Sequence, residues 1–306
     1  MLTVSVGLTI AVVGLGLVAL ILANLARQRG KLLDRITQAQ QRLPLAARSF
    51  PVQRQLVYHK PVIVMAHRGL ARYGTENSGP AIQLAAMTGA NGIELDIRFT
   101  ADHIPVLFHD RTLQRVNLTP QPIRDLTWSK LANIPIAPAN RLLDLETFLA
   151  EYATAYNHIM LDLKDFRTHR FDQLDLEPVI RLIRDYQAVD KTIIDSASTT
   201  CARAVLDRGA IASLREPTIP VSQLRKMGVS HVSLESDRAR SFYKNDGWSG
   251  LFVTAICQPN IRDVMWFADR NIFAVITDLV EETLDELETR NYVTSIDNNE
   301  VRMANQ

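Results

Sequence analysis

The sequence predicts an α/β fold: a (β/α)8 TIM barrel, preceded by one transmembrane helix. From residue 61 onward, eight short runs rich in Val, Ile and Leu alternate with stretches of helical periodicity. Such alternation is typical of parallel strands joined by helical crossovers, and eight units in about 245 residues fit a barrel. A doubly wound open sheet is the alternative, but the first strand is not followed by a Gly-rich phosphate loop. Ahead of the barrel, residues 4–23 contain no charged side chain.

The N-terminal segment predicts a single-pass membrane anchor. A helix of about twenty apolar residues spans the hydrocarbon core of a bilayer. A cleaved signal peptide is the competing interpretation, but it would need a basic start and a shorter apolar stretch. Residues 24–54 carry seven basic side chains and one acid, a net of +6. The positive-inside rule then predicts a cytoplasmic catalytic domain.

Charge and periodicity divide the chain into four parts. These are an anchor (residues 1–25), a basic amphipathic linker (26–58), the barrel domain (59–295) and a C-terminal tail (296–306). The linker is expected either to lie on anionic lipid or to form a solvated helix. A net charge of +1 gives no argument for nucleic acid, and two cysteines exclude a disulfide framework or a cysteine-based zinc site.

The predicted elements follow one another in a regular order. The barrel strands are expected at 62–66, 91–97, 158–164, 192–195, 210–214, 230–234, 251–255 and 273–277. Helices are expected at 80–88, 144–154, 173–186, 199–207 and 259–270. A ninth apolar run, 104–109, follows the second strand too closely for a parallel crossover. We expect it to return antiparallel through a turn near 101–103, which brings His109 beside Glu94 and Asp96.

Carboxylates near the strand ends indicate a metal site. Glu94 and Asp96 lie at i and i+2 on one strand, so both side chains point to the same face. Together with Asp162 on the adjacent strand they form a hard oxygen site, which suits one divalent cation, Mg²⁺ or Ca²⁺. Catalytic groups in barrel enzymes lie at this end of the strands.

Basic side chains at the same strand ends indicate phosphoryl chemistry. Arg68 and Lys164 would neutralise a phosphate and the charge that develops in its transition state. His67 and His109 would divide the general acid and base roles, since histidine titrates near working pH. Taken alone, each residue also has a structural interpretation, such as a surface ion pair or a turn. Phosphoryl chemistry is favoured because several such clusters occur at the ends of strands in one barrel.

These motifs resemble the glycerophosphodiester phosphodiesterase family over about residues 60–290. The matching stretches are "HRG" at 67, "TENS" at 75, "ELD" at 94, "HD" at 109 and "DLK" at 162. The resemblance implies a (β/α)8 TIM barrel of the phosphodiesterase type with one divalent cation, catalytic histidines His67 and His109, and metal ligands Glu94, Asp96 and Asp162. It implies phosphate contacts from Arg68 and Lys164, and it places Glu76 and Asn77 in a loop beside the site.

The chain departs from the family pattern in two places that bear on the site. Asp162 stands where most members have Glu, so the ligand is one methylene shorter. Residues 254–258 lack the aromatic side chain of the corresponding family stretch, which affects the shape of the substrate site. His103 stands where the family has Gly and is expected to be a turn residue.

Several functions in lipid metabolism are compatible with these residues. The resemblance favours hydrolysis of a small-molecule glycerophosphodiester to an alcohol and glycerol 3-phosphate. The predicted membrane helix suggests, as an alternative, cleavage of lysophospholipids to lysophosphatidic acid. A non-catalytic barrel that binds lipid headgroups and a phospholipase C-like enzyme are further alternatives. The products formed would discriminate between them.

Overall fold

The computed structural model describes residues 56–295, apart from 60, 61, 74, 118, 119, 138, 139, 165–172 and 259. The predicted anchor (1–25) and tail (296–306) lie outside the described residues, as does all but the last three residues of the predicted linker (26–58). Within the described part of the chain, no helix combines the length and the apolar character needed to cross a bilayer.

Thirteen strands are found in the described part of the chain. In chain order they are β1 (Leu56–Tyr58), β2 (Ile63–His67), β3 (Gly92–Phe99), β4 (Pro105–Leu107), β5 (Pro135–Ala137), β6 (Asn140–Arg141), β7 (His158–Leu163), β8 (Thr192–Ser196), β9 (Ile211–Arg215), β10 (His231–Glu235), β11 (Phe252–Ile256), β12 (Ala274–Thr277) and β13 (Val293–Ser295).

Eight of these strands close into a parallel barrel, which confirms the predicted fold class. The order around the barrel is β2, β3, β7, β8, β9, β10, β11, β12, and β12 pairs again with β2. All eight pairings are parallel, so every strand has its C-terminal end at the same rim. Each strand begins and ends within one or two residues of its predicted bounds.

The β3–β4 hairpin also confirms its prediction. β4 pairs antiparallel with β3, with Ile97 opposite Leu107. His103 lies in the turn between them with a φ of 59°, and its side chain pairs with Asp175 rather than with the barrel interior. The expectation that His103 is a turn residue is therefore confirmed.

Helices follow most barrel strands and cover the outside of the barrel. They are α1 (Gly79–Thr88), α2 (Gln114–Asn117), α3 (Trp128–Leu131), α4 (Leu145–Glu151), α5 (Gln173–Asp185), α6 (Thr199–Asp207), α7 (Val221–Met227), α8 (Ser236–Asp246), α9 (Ile261–Ala268) and α10 (Val280–Thr289). Five match the predicted helices, whereas α2, α3, α7, α8 and α10 were not predicted. Side chains of Ser78, Asp144, Ser198 and Asn260 cap the helices that follow them.

The barrel interior has an apolar part and, beside the C-terminal rim, a polar part. Met65, Met160, Ile193 and Ile276 belong to one buried cluster inside the barrel. Charged and hydroxyl side chains are buried beside the C-terminal rim, among them Asp96, Asp162, Asp195 and Ser233. Because buried charges need partners, the polar half of the interior marks the functional end of the barrel.

The chain enters the barrel domain at the opposite end. β1 pairs antiparallel with β13, which follows the last barrel helix, α10. This two-stranded sheet lies where β2 begins, at the N-terminal rim. Residue 56 therefore lies at the end of the barrel away from the polar rim.

Candidate active site

The strand register places the predicted carboxylates in one inward-facing row. Asp96 on β3 lies in register with Asp162 on β7, and Asp162 with Asp195 on β8. Glu94 precedes Asp96 by two residues and shares its face of the sheet. The structure thus brings together three predicted ligands and adds a fourth carboxylate that the sequence analysis did not select.

Glu94, Asp96 and Asp162 form a cluster that could hold a metal ion. Each is buried and offers one oxygen, and these three oxygens lie within 4.8 Å of one another. Burial and the neighbouring Asp96 raise the pKa of Glu94 to about 7. Crowded carboxylate oxygens without thiolate or imidazole donors suit a hard divalent cation, so the donor set fits Mg²⁺ or Ca²⁺.

Two of the predicted phosphate-binding cations are paired with these carboxylates. Lys164 Nζ lies 2.8 Å from Asp96 Oδ1 and 2.5 Å from Asp162 Oδ2. Arg68 Nε lies 3.0 Å from Asp96 Oδ2. Burial acts to raise the pKa of Asp96, but Lys164 and Arg68 outweigh it and hold that pKa at about 2. Asp96 is therefore the carboxylate most firmly held in its charged form.

A tight turn after β2 fixes Arg68. The backbone φ is 53° at Arg68 and 77° at Gly69, and both are left-handed. A Cβ at Gly69 would lie 2.8 Å from the backbone carbon of Ala81 in α1, so only glycine permits this approach. The turn directs the Arg68 amide at Glu94 Oε2, 3.2 Å away. The motif at residues 67–69 thus anchors a metal-ligand candidate through the backbone as well as through side chains.

His67 is held by two residues from the last strands of the barrel. Its Nδ1 donates to Asp278 Oδ1 at 2.8 Å. The Gln258 amide nitrogen lies 2.7 Å from His67 Nε2, and this Nε2 is 4.0 Å from Glu94 Oε2. Neither Asp278 nor Gln258 was selected from the sequence, although both follow closely on strands of the barrel.

A chain of ion pairs connects His109 to the loop after β2. His109 Nδ1 lies 2.8 Å from Asp110 Oδ1, and Asp110 Oδ2 accepts from Arg115 Nε at 2.6 Å. Arg115 also donates to Glu76 at 2.6 Å, and Glu76 accepts from Arg68 at 3.1 Å. Glu76 therefore links Arg68 to Arg115, and it also lines the larger cavity beside His67.

Asn77 braces the central carboxylate. Its side-chain nitrogen donates to Asp96 Oδ2 at 2.9 Å, and its side-chain oxygen accepts from the Asp96 amide at 3.1 Å. Asn77 is buried and has a φ of 56°, a conformation that asparagine tolerates better than most residues. Asn77 thus fixes the position of both the carboxylate and the backbone amide of Asp96.

The pKa values of the two histidines are shifted in opposite directions. Burial acts to lower the pKa of His67, but Asp278 and Glu94 outweigh it and raise that pKa above its ordinary value. Burial lowers the pKa of His109, and the nearby Asp96 only partly opposes it. The site therefore holds two histidines whose environments differ, as acid–base pairs require.

These side chains surround one polar cavity of about 160 Å³ at the C-terminal rim. It is lined by His67, Arg68, Glu94, His109, Lys164, Arg215, Glu235, Ile256, Gln258 and Ile276. A second cavity of about 510 Å³ adjoins it and shares the walls formed by His67 and Arg68. The structure thus brings both histidines and both predicted cations to a single cavity.

Three charged residues of the site, one each on β8, β9 and β10, were not predicted. Asp195, Arg215 and Glu235 belong to these strands, and Arg215 and Glu235 end theirs. The rule that located His67 and Glu94 would have found them, since each lies near the C-terminal end of a predicted strand. The missing signal was a matching motif, because the quoted family motifs concentrate on the first half of the barrel.

A closed parallel barrel that brings paired histidines, clustered carboxylates and two cations together at its C-terminal rim has the architecture expected of a TIM-barrel phosphodiesterase. Comparison with known families agrees, because residues 67–227 match the glycerophosphoryl diester phosphodiesterase family. The chain belongs to this family.

Individual relatives extend the comparison. The chain is 26% identical over 226 residues to glycerophosphodiester phosphodiesterase 1 of Bos taurus, covering 71% of this chain and 66% of that protein. It therefore spans slightly less than two thirds of the length of this relative.

Solved structures share the fold. One is a glycerophosphodiester phosphodiesterase from Parabacteroides distasonis, with a TM-score of 0.66, 20% identity, and coverage of 76% of this chain and 99% of that one. Another is an Oleispira antarctica phosphodiesterase in complex with the product sn-glycerol-3-phosphate, with a TM-score of 0.63, 17% identity, and coverage of 74% and 96%.

Proposed function

We propose that this protein hydrolyses glycerophosphodiesters to an alcohol and glycerol 3-phosphate with the help of one divalent cation. The observation that carries the proposal is the single cavity at the barrel rim. It collects two histidines, two predicted phosphate-binding cations and a metal-ligand candidate, beside a buried cluster of three carboxylates. The named activities of the bovine and bacterial relatives support the same substrate class.

The chain's own residues divide the work of the reaction. Arg68 and Lys164 bind the nonbridging oxygens of the phosphodiester and orient it toward the histidines. One of His67 and His109 takes a proton from the nucleophile, and the other gives a proton to the oxygen of the leaving alcohol. The nucleophile is either water or a neighbouring hydroxyl of the substrate, which would give a cyclic phosphate first.

Glu94, Asp96 and Asp162 would hold the divalent cation. When bound, this ion supplies Lewis-acid stabilisation of the negative charge on the phosphoryl oxygens. Asn77 and Lys164 hold the ligand Asp96 in place, and Asp278 orients His67. Mg²⁺ and Ca²⁺ both satisfy this donor set, and a metal titration of activity distinguishes them.

The names of the bovine relative and of the Oleispira antarctica product complex favour a free glycerophosphodiester over a lysophospholipid. We further propose that residues 1–25 anchor the protein in a membrane with the barrel in the cytoplasm. This second proposal is supported by the charge pattern of the sequence. The test is a reporter enzyme that works only outside the cytoplasm, fused to the C-terminus. Activity of this reporter would overturn the proposed cytoplasmic location.

A product assay on the full chain in detergent tests the activity. Glycerophosphocholine and lysophosphatidylcholine are supplied separately, each with Mg²⁺, Ca²⁺ or a chelator. Metal-dependent glycerol 3-phosphate from the first substrate supports the proposal, and lysophosphatidic acid from the second alone would favour the lipid alternative. The His67→Gln variant should lose the activity, while His59→Gln, a histidine at the N-terminal rim, serves as the matched control.

A further inference from the structure

Arg215 is a third cation in the cavity at the C-terminal rim, beside Arg68 and Lys164. It ends β9, and its side chain is only 13% exposed. Ser213 lies in register with Asp195, so Arg215, two residues further on, faces the barrel interior above the carboxylate row. Arg215 lines the same cavity as His67, His109 and Lys164.

The guanidinium of Arg215 has two kinds of partner. Its Nη1 lies 3.0 Å from Asp162 Oδ2 and 3.8 Å from Asp195 Oδ2, and both carboxylates are fully buried. Its Nη2 lies 3.4 Å from Glu235 Oε1, and the side chain of Glu235 is 60% exposed. Nη1 is therefore fixed in the barrel interior, whereas Nη2 faces the cavity and has a solvent-exposed partner.

The contact with Glu235 is the one that a ligand would replace. It is longer than the contact with Asp162, and pairs with an exposed partner contribute little to stability. A phosphate oxygen in place of the Glu235 carboxylate would accept a charge-assisted hydrogen bond from Nη2 of Arg215, in the geometry that arginine favours. The carboxylate of Glu235 thus occupies the place of an anionic ligand on Arg215.

We propose that Arg215 is a phosphate-binding residue of this site and that Glu235 is the carboxylate it exchanges for the substrate phosphate. The inference rests on the proposed function for the identity of the substrate. It predicts opposite effects for the two partners of one ion pair. Loss of Arg215 weakens anion binding, whereas neutralisation of Glu235 removes a competitor and strengthens it.

The test is calorimetric titration of the full chain with sn-glycerol 3-phosphate in buffer containing Mg²⁺. Arg215→Gln should weaken binding at least tenfold, since it removes a charge-assisted hydrogen bond. Glu235→Gln should tighten binding about threefold or more. Arg203→Gln, which removes an exposed arginine on α6, is the matched control and should bind as the wild type does.

The two variants separate this role from a structural one. Glu235→Gln also removes a negative charge from the cavity wall and would favour an anion even without Arg215, so it is titrated in the wild-type and the Arg215→Gln backgrounds. If the tightening caused by Glu235→Gln is the same in both backgrounds, Arg215 has only a structural role and the proposal is overturned. Unchanged affinity in Arg215→Gln, or a wild type that does not bind glycerol 3-phosphate, would also overturn it. If Arg215→Gln fails to fold, Arg215→Lys takes its place, because lysine keeps the charge beside Asp162 but lacks the second arm of the guanidinium.

The same titrations separate this inference from the proposed activity. A wild type that binds glycerol 3-phosphate with the expected variant pattern, yet hydrolyses no glycerophosphodiester, would retain the phosphate site and refute the proposed reaction. If the wild type hydrolyses glycerophosphodiesters but Arg215→Gln has unchanged affinity and KM, the proposed reaction is retained and the role of Arg215 is refuted.

Discussion

The hydrogen bond between His67 and Asp278 makes the most direct prediction about turnover. Asp278→Asn keeps the size of the side chain and an acceptor oxygen near Nδ1 of His67, but it removes the negative charge 2.8 Å from the ring. His67 then loses the negative charge that stabilises its charged form and strengthens the orienting hydrogen bond. We expect kcat to fall, while binding of the metal to Glu94, Asp96 and Asp162 is preserved.

The size of the effect follows from the geometry of this contact. A hydrogen bond to a charged group contributes about 1.5–3 kcal/mol. Asp278 is 30% exposed, so we take the lower part of this range, about 1.5–2 kcal/mol. At about 1.4 kcal/mol per factor of ten, kcat should fall roughly 10- to 30-fold.

The assay measures initial rates of glycerol 3-phosphate release from glycerophosphocholine at saturating Mg²⁺. Thermal midpoint and half-saturating Mg²⁺ are measured on the same preparations. Asp269→Asn is the control, because Asp269 accepts from Tyr292 at 2.7 Å on the outer surface of the barrel. A rate above half that of the wild type in Asp278→Asn would refute the reasoning, as would an equal loss in Asp269→Asn.

Three further predictions follow from the site and its surroundings. Alanine at His67 or at His109 should lower turnover about 100-fold or more, and near-normal rates in both variants would contradict the acid–base assignment. Asp162→Asn removes one of three clustered carboxylates, so half-saturating Mg²⁺ in calorimetry should rise at least about tenfold, and an unchanged value would count against the metal site. Burial against Phe252 lowers the pKa of His231 from 6.5 to about 4, so its neutral form stabilises the fold fully above pH 6.5. That contribution, up to about 3 kcal/mol, should be lost as the pH falls from 6.5 toward 4, and chemical denaturation should show a weaker pH dependence in His231→Phe.

The barrel could be predicted because its strands are continuous apolar runs. Parallel strands buried on both faces leave such runs in the sequence, and the antiparallel β4 followed from the short link after β3. The helix α8 was missed because its sequence, SDRARSFYKND, shows no broad apolar face. It packs through Ala239, which is buried, and through Tyr243, whose ring contacts Trp248 and Trp266. Those contacts depend on tertiary neighbours that periodicity does not show.

The site divides in the same way between local and distant information. Glu94 with Asp96 and Asp162 with Lys164 are pairs at i and i+2, so a strand assignment alone places each pair on one face. Asp278 and His67 are 211 positions apart, and they meet because β12 closes the barrel against β2. Gln258 reaches His67 through a side-chain conformation, which no spacing rule predicts.

The order of charges along the strands predicts that folding and anion binding depend on the same residues. Asp96, Asp162 and Asp195 stand side by side on three neighbouring strands, and such a row of buried carboxylates would repel itself. The cations that stabilise it, Lys164 and Arg215, stand nearer the rim, each two residues beyond a member of this inward-facing register. They therefore lie between the carboxylates and the cavity and present positive charge to whatever enters. An anionic phosphate would meet this layer first, so we expect the residues that keep the acidic row stable in the fold also to attract the proposed substrate.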